Sequence, residues 1–198
     1  MKPGVKPFFD QTTNTVTYVV SDPAGQQCVI IDPVLDFDQS SGRTSTSSAD
    51  LVIEYLLASE LEVAWILETH AHADHLSAAG YLKEKTGGRT GVGRYITRTQ
   101  QIFKDIFNLG DEFQPDGLQF DRLLDDGDLL EVGGLQIRVM HTPGHTPACV
   151  TYLAGDAAFV GDTLFMPDFG TARVDFPGGD AATLYRSIQR IFELPGQT

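Results

Sequence analysis

The sequence predicts a layered α/β fold in which two mixed β-sheets pack together and helices cover them on the outside. Apolar runs of strand length alternate with segments of helical spacing, in the order strands, helix, strand, helices, strands, helix. At 198 residues the chain can bury a full core, and no internal repeat or linker divides it. We therefore treat residues 1–198 as a single domain.

The first half of the chain begins with a predicted hairpin. Thr15–Asp22 and Gln27–Asp32 are rich in β-branched residues and are separated by a Pro-Ala-Gly-Gln turn. The polar, Ser-rich stretch Asp36–Ser48 is predicted to be a loop. Ser47 and Asp50 then form a capping-box pattern, which predicts that a helix begins with the run DLVIEYLLASE.

A buried strand is predicted next, because Val63–Thr69 is a continuous apolar run. Leu76–Gly87 has helical spacing, with Gly87 as its stop signal. Thr90–Gly93 is predicted to be a short strand. Thr97–Asn108 is predicted to be a further helix because its apolar residues lie near helical spacing.

The second half of the chain is predicted to contain mainly strands. Arg122–Thr142 alternates Asp-Gly and Gly-Gly turn signals with short apolar runs, which indicates hairpins. Ala148–Gly155 and Ala157–Phe165 are two more predicted strands. A final helix is predicted to start after Asp180 as N-cap and to stop at Pro195.

Charge and composition exclude several classes of function. A formal net charge of −13 disfavours a nucleic-acid backbone or an anionic membrane surface as the main partner. No apolar run reaches the roughly 18 residues needed to span a membrane, and the N-terminus lacks the features of a targeting segment. Two cysteines, Cys28 and Cys149, are too few for a disulfide framework or a four-thiolate zinc site. We expect both to be buried apolar residues of a cytoplasmic protein.

The most informative segment directly follows the predicted strand Val63–Thr69. It places three of the five histidines and an aspartate within six residues: His70, His72, Asp74 and His75. A strand end is rigid, and the loop after it can turn several side chains towards one point. Imidazole and carboxylate donors together suit zinc, iron or manganese. The alternative is a surface histidine cluster that binds no metal.

Further donors at other predicted strand ends favour the metal site over a bare surface cluster. His145 lies in a Thr-Pro-Gly turn between two strands, and Asp162 follows the apolar run AAFVG. His141 stands four residues before His145, and we interpret it as a structural histidine. Asp32 ends the run CVIID, and we expect it to orient the ligand loop by hydrogen bonding rather than to bind metal.

These motifs resemble the metallo-β-lactamase superfamily. THAHADH is similar to its His-x-His-x-Asp-His motif, His145 of HTPGHT to its third histidine, and Asp162 of GDT to its bridging aspartate. The resemblance implies an αββα sandwich with the metal at the edge between the two sheets. The superfamily's chains of this kind continue for several dozen residues after LPGQT, so we expect a C-terminally shortened, incomplete form of the sandwich.

A closer resemblance is to the bacterial persulfide dioxygenases, carried by LETHAHADHLSAAGYLKEKTGG, HTPGHTPACVTY and FVGDTLFMPDFGTARVDFPGGDAATLYRSI. It implies that one Fe(II) per chain is held by His70, His145 and Asp162. Glutathione persulfide and O2 would be the substrates, and sulfite and glutathione the products. Arg173 matches an arginine that supports the family's active site. An ion pair with Asp175 is the alternative role for its side chain.

Two other functions stay open. A dinuclear Zn(II) hydrolase of the glyoxalase II type would use His70, His72 and His145 at one metal. Asp74 and His75 would hold the other metal, with Asp162 as the bridge. No histidine follows His145, which counts against a complete second site. If iron binds alone, His72, Asp74 and His75 instead surround the three ligands. The third reading is a non-catalytic, metal-stabilised module, and a homodimer is compatible with all three.

Overall fold

The structure is a computed structural model and describes residues 2–198. Within these residues the chain forms thirteen strands and four α-helices. The strands are β1 (Gly4–Asp10), β2 (Thr15–Ser21), β3 (Gln27–Ile31), β4 (Val34–Asp38), β5 (Arg43–Ser45), β6 (Glu62–Glu68), β7 (Leu76–Ser77), β8 (Arg89–Gly93), β9 (Arg122–Leu124), β10 (Leu129–Val132), β11 (Leu135–His141), β12 (Val150–Ala154) and β13 (Ala157–Phe159). The helices are α1 (Ser47–Ala58), α2 (Ala79–Thr86), α3 (Ile96–Ile106) and α4 (Ala181–Phe192).

Two large sheets form the body of the fold. The first has the order β1-β2-β3-β6-β8-β9; it is antiparallel from β1 to β3 and parallel from β3 to β9. The second is the antiparallel sheet β10-β11-β12-β13. A small sheet, β5-β4-β7, lies beside the loop that follows β6. His70 follows β6 of the first sheet, and His145 precedes β12 of the second.

The core is divided by the first sheet, because its central strands are apolar on both faces. Ile31 and Leu67 pack against the second sheet, where the buried ring of Tyr152 lies. Ile30 and Ile66 point to the opposite face and pack under α1 and α2. On the far side of the second sheet, residues of β11 and β12 pack with α4. The layers are therefore helix, sheet, sheet, helix, and the predicted αββα sandwich is confirmed.

The start of α1 was predicted wrongly. The helix begins at Ser47 rather than Asp50, and the predicted capping box does not form. The carboxylate of Asp36 in β4 accepts the Ser48 N–H at 3.0 Å instead, while Thr46 donates its hydroxyl to Asp50 at 2.8 Å. A tertiary contact thus replaces the local cap.

Pairing across the small sheet corrects two further predictions. The stretch predicted as the loop Asp36–Ser48 contains the end of β4 and all of β5. The helix predicted from Leu76 begins only at Ala79, because Leu76 and Ser77 pair with β4. Strand β1, which pairs with β2, was not predicted. Strand β9, which was predicted to belong to a hairpin, pairs in parallel with β8 instead.

The strand predicted over Ala157–Phe165 is also shorter than expected. It ends at Phe159, and a single 3-10 turn covers Gly161–Thr163. Asp162 therefore lies on a tight turn after the strand rather than in it. Within residues 2–198, no helix is long and apolar enough to cross a membrane.

Candidate metal centre

The structure brings three of the predicted ligands together at the edge between the two large sheets. His70 follows β6, His145 lies in the turn before β12, and Asp162 lies after β13. The Nε2 atoms of His70 and His145 are 3.7 Å and 3.6 Å from Asp162 Oδ2. One donor atom from each residue lies within 4.8 Å of the other two. We call these three residues the triad.

The hydrogen bonds of His70 determine which of its ring nitrogens carries the proton. Thr69 Oγ1 donates to Asp32 Oδ2 at 2.8 Å, so it can only accept at its 3.0 Å contact with His70 Nδ1. His70 Nδ1 is therefore protonated, and Nε2 carries the lone pair. That Nε2 atom is buried and has no hydrogen-bond partner within residues 2–198. Burial also lowers the pKa of His70 well below its ordinary value, which keeps the ring neutral.

His145 is held in the same way from a different segment. Its Nδ1 donates to the backbone carbonyl of Arg173 at 2.8 Å, which leaves the lone pair on Nε2. The Phe176 ring and the imidazole pack in a T-shaped arrangement, with 5.3 Å between the ring centroids. Two oriented imidazole lone pairs beside one carboxylate therefore fit a divalent transition metal.

Asp32 makes the hydrogen bonds to the ligand loop that the sequence predicted. Its buried carboxylate accepts the Thr69 N–H at 2.7 Å and the Thr69 hydroxyl, and it contacts His72 Nε2 at 3.1 Å. Burial by itself would raise the pKa of Asp32. The charge and hydrogen bond of His72 and the N–H of Thr69 outweigh burial and lower this pKa. The ligand loop is thus tied to the end of β3.

Glu68 is a member of the site that sequence reasoning missed. Its buried carboxylate contacts His72 Nε2 at 3.1 Å and accepts the hydroxyl of Ser77. The signal was present, because an acidic residue at the end of an otherwise apolar strand is unusual unless it is paired. Burial raises the pKa of Glu68, whereas Asp32 and Glu68 together raise the pKa of His72 against the effect of its own burial.

The remaining predicted donors form a second group next to the triad. His72, Asp74 and His75 each offer a donor atom within 4.8 Å of the other two. His75 Nδ1 donates to the Leu76 carbonyl at 2.9 Å, and its buried Nε2 has no partner within residues 2–198. Asp74 is exposed and accepts the hydroxyl of Thr15 at 2.8 Å. His72 belongs to this group and to the buried group of Asp32 and Glu68, rather than to the triad.

Two other predicted residues have structural contacts. His141 Nε2 donates to the carbonyl of Pro147 at 2.9 Å, and its ring stacks on Tyr95 with 4.6 Å between the centroids. The exposed side chain of Arg173 forms the alternative ion pair with Asp175, at 2.8 Å. The backbone of Arg173, through its carbonyl, is the part that holds His145.

The family profile described as Metallo-beta-lactamase superfamily matches residues 11–197. The chain belongs to this superfamily. It is 56% identical over 204 residues to a Burkholderia pseudomallei protein named "Probable metallo-hydrolase". It is 54% identical to a "Beta-lactamase hydrolase-like protein" of Agrobacterium fabrum and 48% identical to "Glyoxylase B2" of Dictyostelium discoideum. These alignments cover 98–99% of the chain.

Proteins named persulfide dioxygenase are similar to the chain at lower identity. The chain is 33% identical to human "Persulfide dioxygenase ETHE1, mitochondrial" in an alignment that covers 97% of this chain. It superposes on the crystal structure of ETHE1 from Myxococcus xanthus with a TM-score of 0.76 and 31% identity, covering 98% of this chain and 72% of that one. The chain spans 69%, 45%, 67% and 64% of the Burkholderia, Agrobacterium, Dictyostelium and human proteins.

Proposed function

We propose that this protein is an iron-dependent persulfide dioxygenase that oxidises glutathione persulfide with O2 to sulfite and glutathione. The observation that carries the proposal is the triad itself. Two imidazole nitrogens and one carboxylate oxygen lie within 4.8 Å of one another, whereas His72 directs its Nε2 to Asp32 and Glu68. A set of two histidines and one carboxylate would leave open positions on Fe(II), which is the ligand set used by non-haem iron oxygenases.

The residues of the chain have distinct roles in this proposal. Fe(II), when bound, supplies electrons and neighbouring open positions for O2 and a sulfur anion. His70 and His145 present Nε2 lone pairs, and Asp162 presents a carboxylate oxygen. Thr69 and the carbonyl of Arg173 keep the two imidazoles in the required tautomer and orientation. Burial of both imidazoles excludes water from the protein side of the centre.

Similarity to proteins named ETHE1 supports this proposal. The human and Myxococcus proteins with 33% and 31% identity carry ETHE1 names, and the alignments cover 97% and 98% of this chain. This chain, which contains the motifs that carry the triad, therefore aligns with those proteins along almost its entire length.

A dinuclear zinc hydrolase of the glyoxalase II type is the second candidate. The group of His72, Asp74 and His75 favours it, because these donors could hold a second metal next to the triad. The relatives with higher identity, at 56%, 54% and 48%, also carry hydrolase or glyoxylase names. In this reading the triad and the group of His72, Asp74 and His75 would hold the Zn(II) ions, which would supply activated water for the hydrolysis of a thioester.

Metal analysis combined with an oxygen-electrode assay separates the two candidates. For the dioxygenase we expect one iron per chain, O2 consumption when glutathione persulfide is added, and sulfite as a product. The same preparation should not hydrolyse a glutathione thioester. Two zinc ions per chain together with thioester hydrolysis would refute the proposal and support the second candidate.

Substitution of single histidines tests the ligand assignment. His70→Ala and His145→Ala should each lose the iron, because each removes one of three protein ligands. His75→Ala should keep most of the iron, since His75 is outside the triad. Iron content measured on equal amounts of folded protein is the readout. Loss of iron from His75→Ala would show that the assignment is wrong.

A further inference from the structure

The loop of residues 70–75, here called the metal loop, is far in sequence from a threonine hydroxyl that bonds the backbone on both sides of Pro33, next to Asp32. Thr17 lies in β2 and is 4% exposed. Its Oγ1 donates to the carbonyl of Asp32 at 2.8 Å and accepts the N–H of Val34 at 3.2 Å. One hydroxyl thus pairs with two buried backbone groups on either side of Pro33.

The bend between β3 and β4 explains why those two backbone groups need a side-chain partner. The chain leaves the first sheet at Asp32, so the Asp32 carbonyl and the Val34 N–H fall outside its strand ladder. Buried backbone groups without a partner are strongly disfavoured. Asp32 also has a φ of 51°, a left-handed conformation that is uncommon outside glycine and persists only when the surroundings hold it. Thr17 contributes to that hold, together with the bond from the Asp32 N–H to the Leu67 carbonyl at 2.9 Å.

A continuous series of hydrogen bonds connects this bend to a triad imidazole. The Asp32 carboxylate accepts from both the N–H and the hydroxyl of Thr69. Because the Thr69 hydroxyl proton is committed to Asp32, Thr69 Oγ1 accepts from His70 Nδ1, and the lone pair of His70 stays on Nε2. Any change in the direction of the Asp32 carboxylate would therefore reach His70.

We propose that Thr17 is a positioning residue of the metal centre, acting through the Asp32 bend and Thr69 on the orientation of His70. Thr17 is 53 residues before His70 in the sequence and has no hydrogen bond to any triad residue. The proposal rests on the triad being the metal centre, which is part of the proposed function. It does not depend on which reaction the metal supports.

The test is Co(II) binding by the full chain, stripped of metal and read by visible absorption. Thr17→Val keeps the shape and the strand preference of the side chain but removes the hydroxyl. We expect its Co(II) affinity to fall by about tenfold, the lower end of the loss that follows removal of a direct partner of a ligating histidine, because Thr17 acts on His70 through Thr69. We also expect an altered absorption spectrum of the bound Co(II). Thr17→Ser restores the hydroxyl and should restore both the affinity and the spectrum.

Thr90→Val is the matched control. Thr90 is 4% exposed, and its hydroxyl likewise bridges a donor and an acceptor, the N–H and carboxylate of Asp121. These contacts do not touch the metal loop, so Thr90→Val should lower the unfolding temperature without changing Co(II) affinity or spectrum. Thermal unfolding of each variant confirms that folded protein is compared.

Three results would overturn the proposal. Thr17→Val could bind Co(II) with the affinity and spectrum of the unsubstituted chain. Thr90→Val could weaken Co(II) binding as much as Thr17→Val, which would indicate a general effect of stability. If Thr17→Val does not fold, Thr17→Ser is the deciding variant. It keeps the hydroxyl, so weaker Co(II) binding or an altered spectrum in Thr17→Ser would contradict the proposed role of that hydroxyl. Co(II) binding is measured without persulfide, so a failure of dioxygenase activity is recorded separately.

Discussion

Replacing Gly144 with alanine should destabilise the protein and weaken metal binding, because the turn before His145 presses directly on α4. A Cβ atom at Gly144 would lie 2.3 Å from Leu184 Cα and 2.4 Å from Leu184 N. The helix cannot simply retreat, because Asp180 N–H donates to the Gly144 carbonyl at 2.8 Å and Ser187 donates its hydroxyl to Pro143 at 2.6 Å.

The expected magnitude has two sources. Gly144 has a φ of +139°, and a non-glycine residue held in such a region costs roughly 1–3 kcal/mol. Overpacking against the helix backbone costs about another 1–3 kcal/mol. A loss of about 3 kcal/mol in the free energy of unfolding lowers the Tm of a chain of this size by roughly 6–12 °C.

Thermal unfolding followed by circular dichroism measures this change, and metal content measures its effect on His145. Gly127→Ala is the matched control, because Gly127 also has a positive φ, +85°, but a Cβ there meets nothing within 4 Å. It should show only the cost of the backbone conformation. If Gly144→Ala is no less stable than Gly127→Ala and keeps its full metal content, the close contact with α4 is not what positions His145.

Three more predictions concern pH, capping and thiol reactivity. The hydrogen bond from Lys83 lowers the pKa of Asp121 to about 2, so this carboxylate adds stability above its unfolded pKa. That contribution, about 1 kcal/mol after solvent screening, should disappear as the pH falls from about 4 to 2, and urea unfolding of Asp121→Asn should lack that part of the pH dependence. Asp180→Ala should cost about 1 kcal/mol in chemical unfolding, because the carboxylate caps α4; an unchanged midpoint would refute the cap. Burial raises the pKa of Cys28 to about 12 and that of Cys149 to about 11, so neither thiol should react with Ellman's reagent before unfolding. Rapid labelling of the native chain would contradict this.

Much of the fold could be predicted because its central strands can be recognised from their local sequence. Val63–Thr69 reads as a buried strand since its residues are apolar on both faces, and most of it became β6. The helix starts were harder to predict. The first turn of α1 is capped by Asp36 from β4, and α2 begins late because Leu76 and Ser77 pair with the same strand. Local propensity contains no information on such partners.

The candidate metal ligands could be identified from local sequence, but the residues around them could not. His70 and Asp162 each follow an apolar run, and His145 lies in a Thr-Pro-Gly turn, so donor type and position are visible together in the sequence. In the sequence, Glu68 is recognisable only as a charged residue at the end of an otherwise apolar strand. Its function as a buried partner of His72 requires the loop to fold back over it.

The sequence by itself determined the superfamily, the layered sandwich and the residues able to hold a metal, because these depend on patterns within short segments. Only the tertiary structure decided how those residues are divided. It joins His70, His145 and Asp162 into one set, groups His72 with Asp32 and Glu68, and gives the backbone of Arg173 the task of holding His145. It also places the Thr17 hydroxyl on the carbonyl of Asp32, whose carboxylate accepts the Thr69 N–H next to His70. The physical reason is that the hydrogen-bond partners of these buried side chains come from segments that are distant in sequence. Those segments become adjacent only once both sheets have formed.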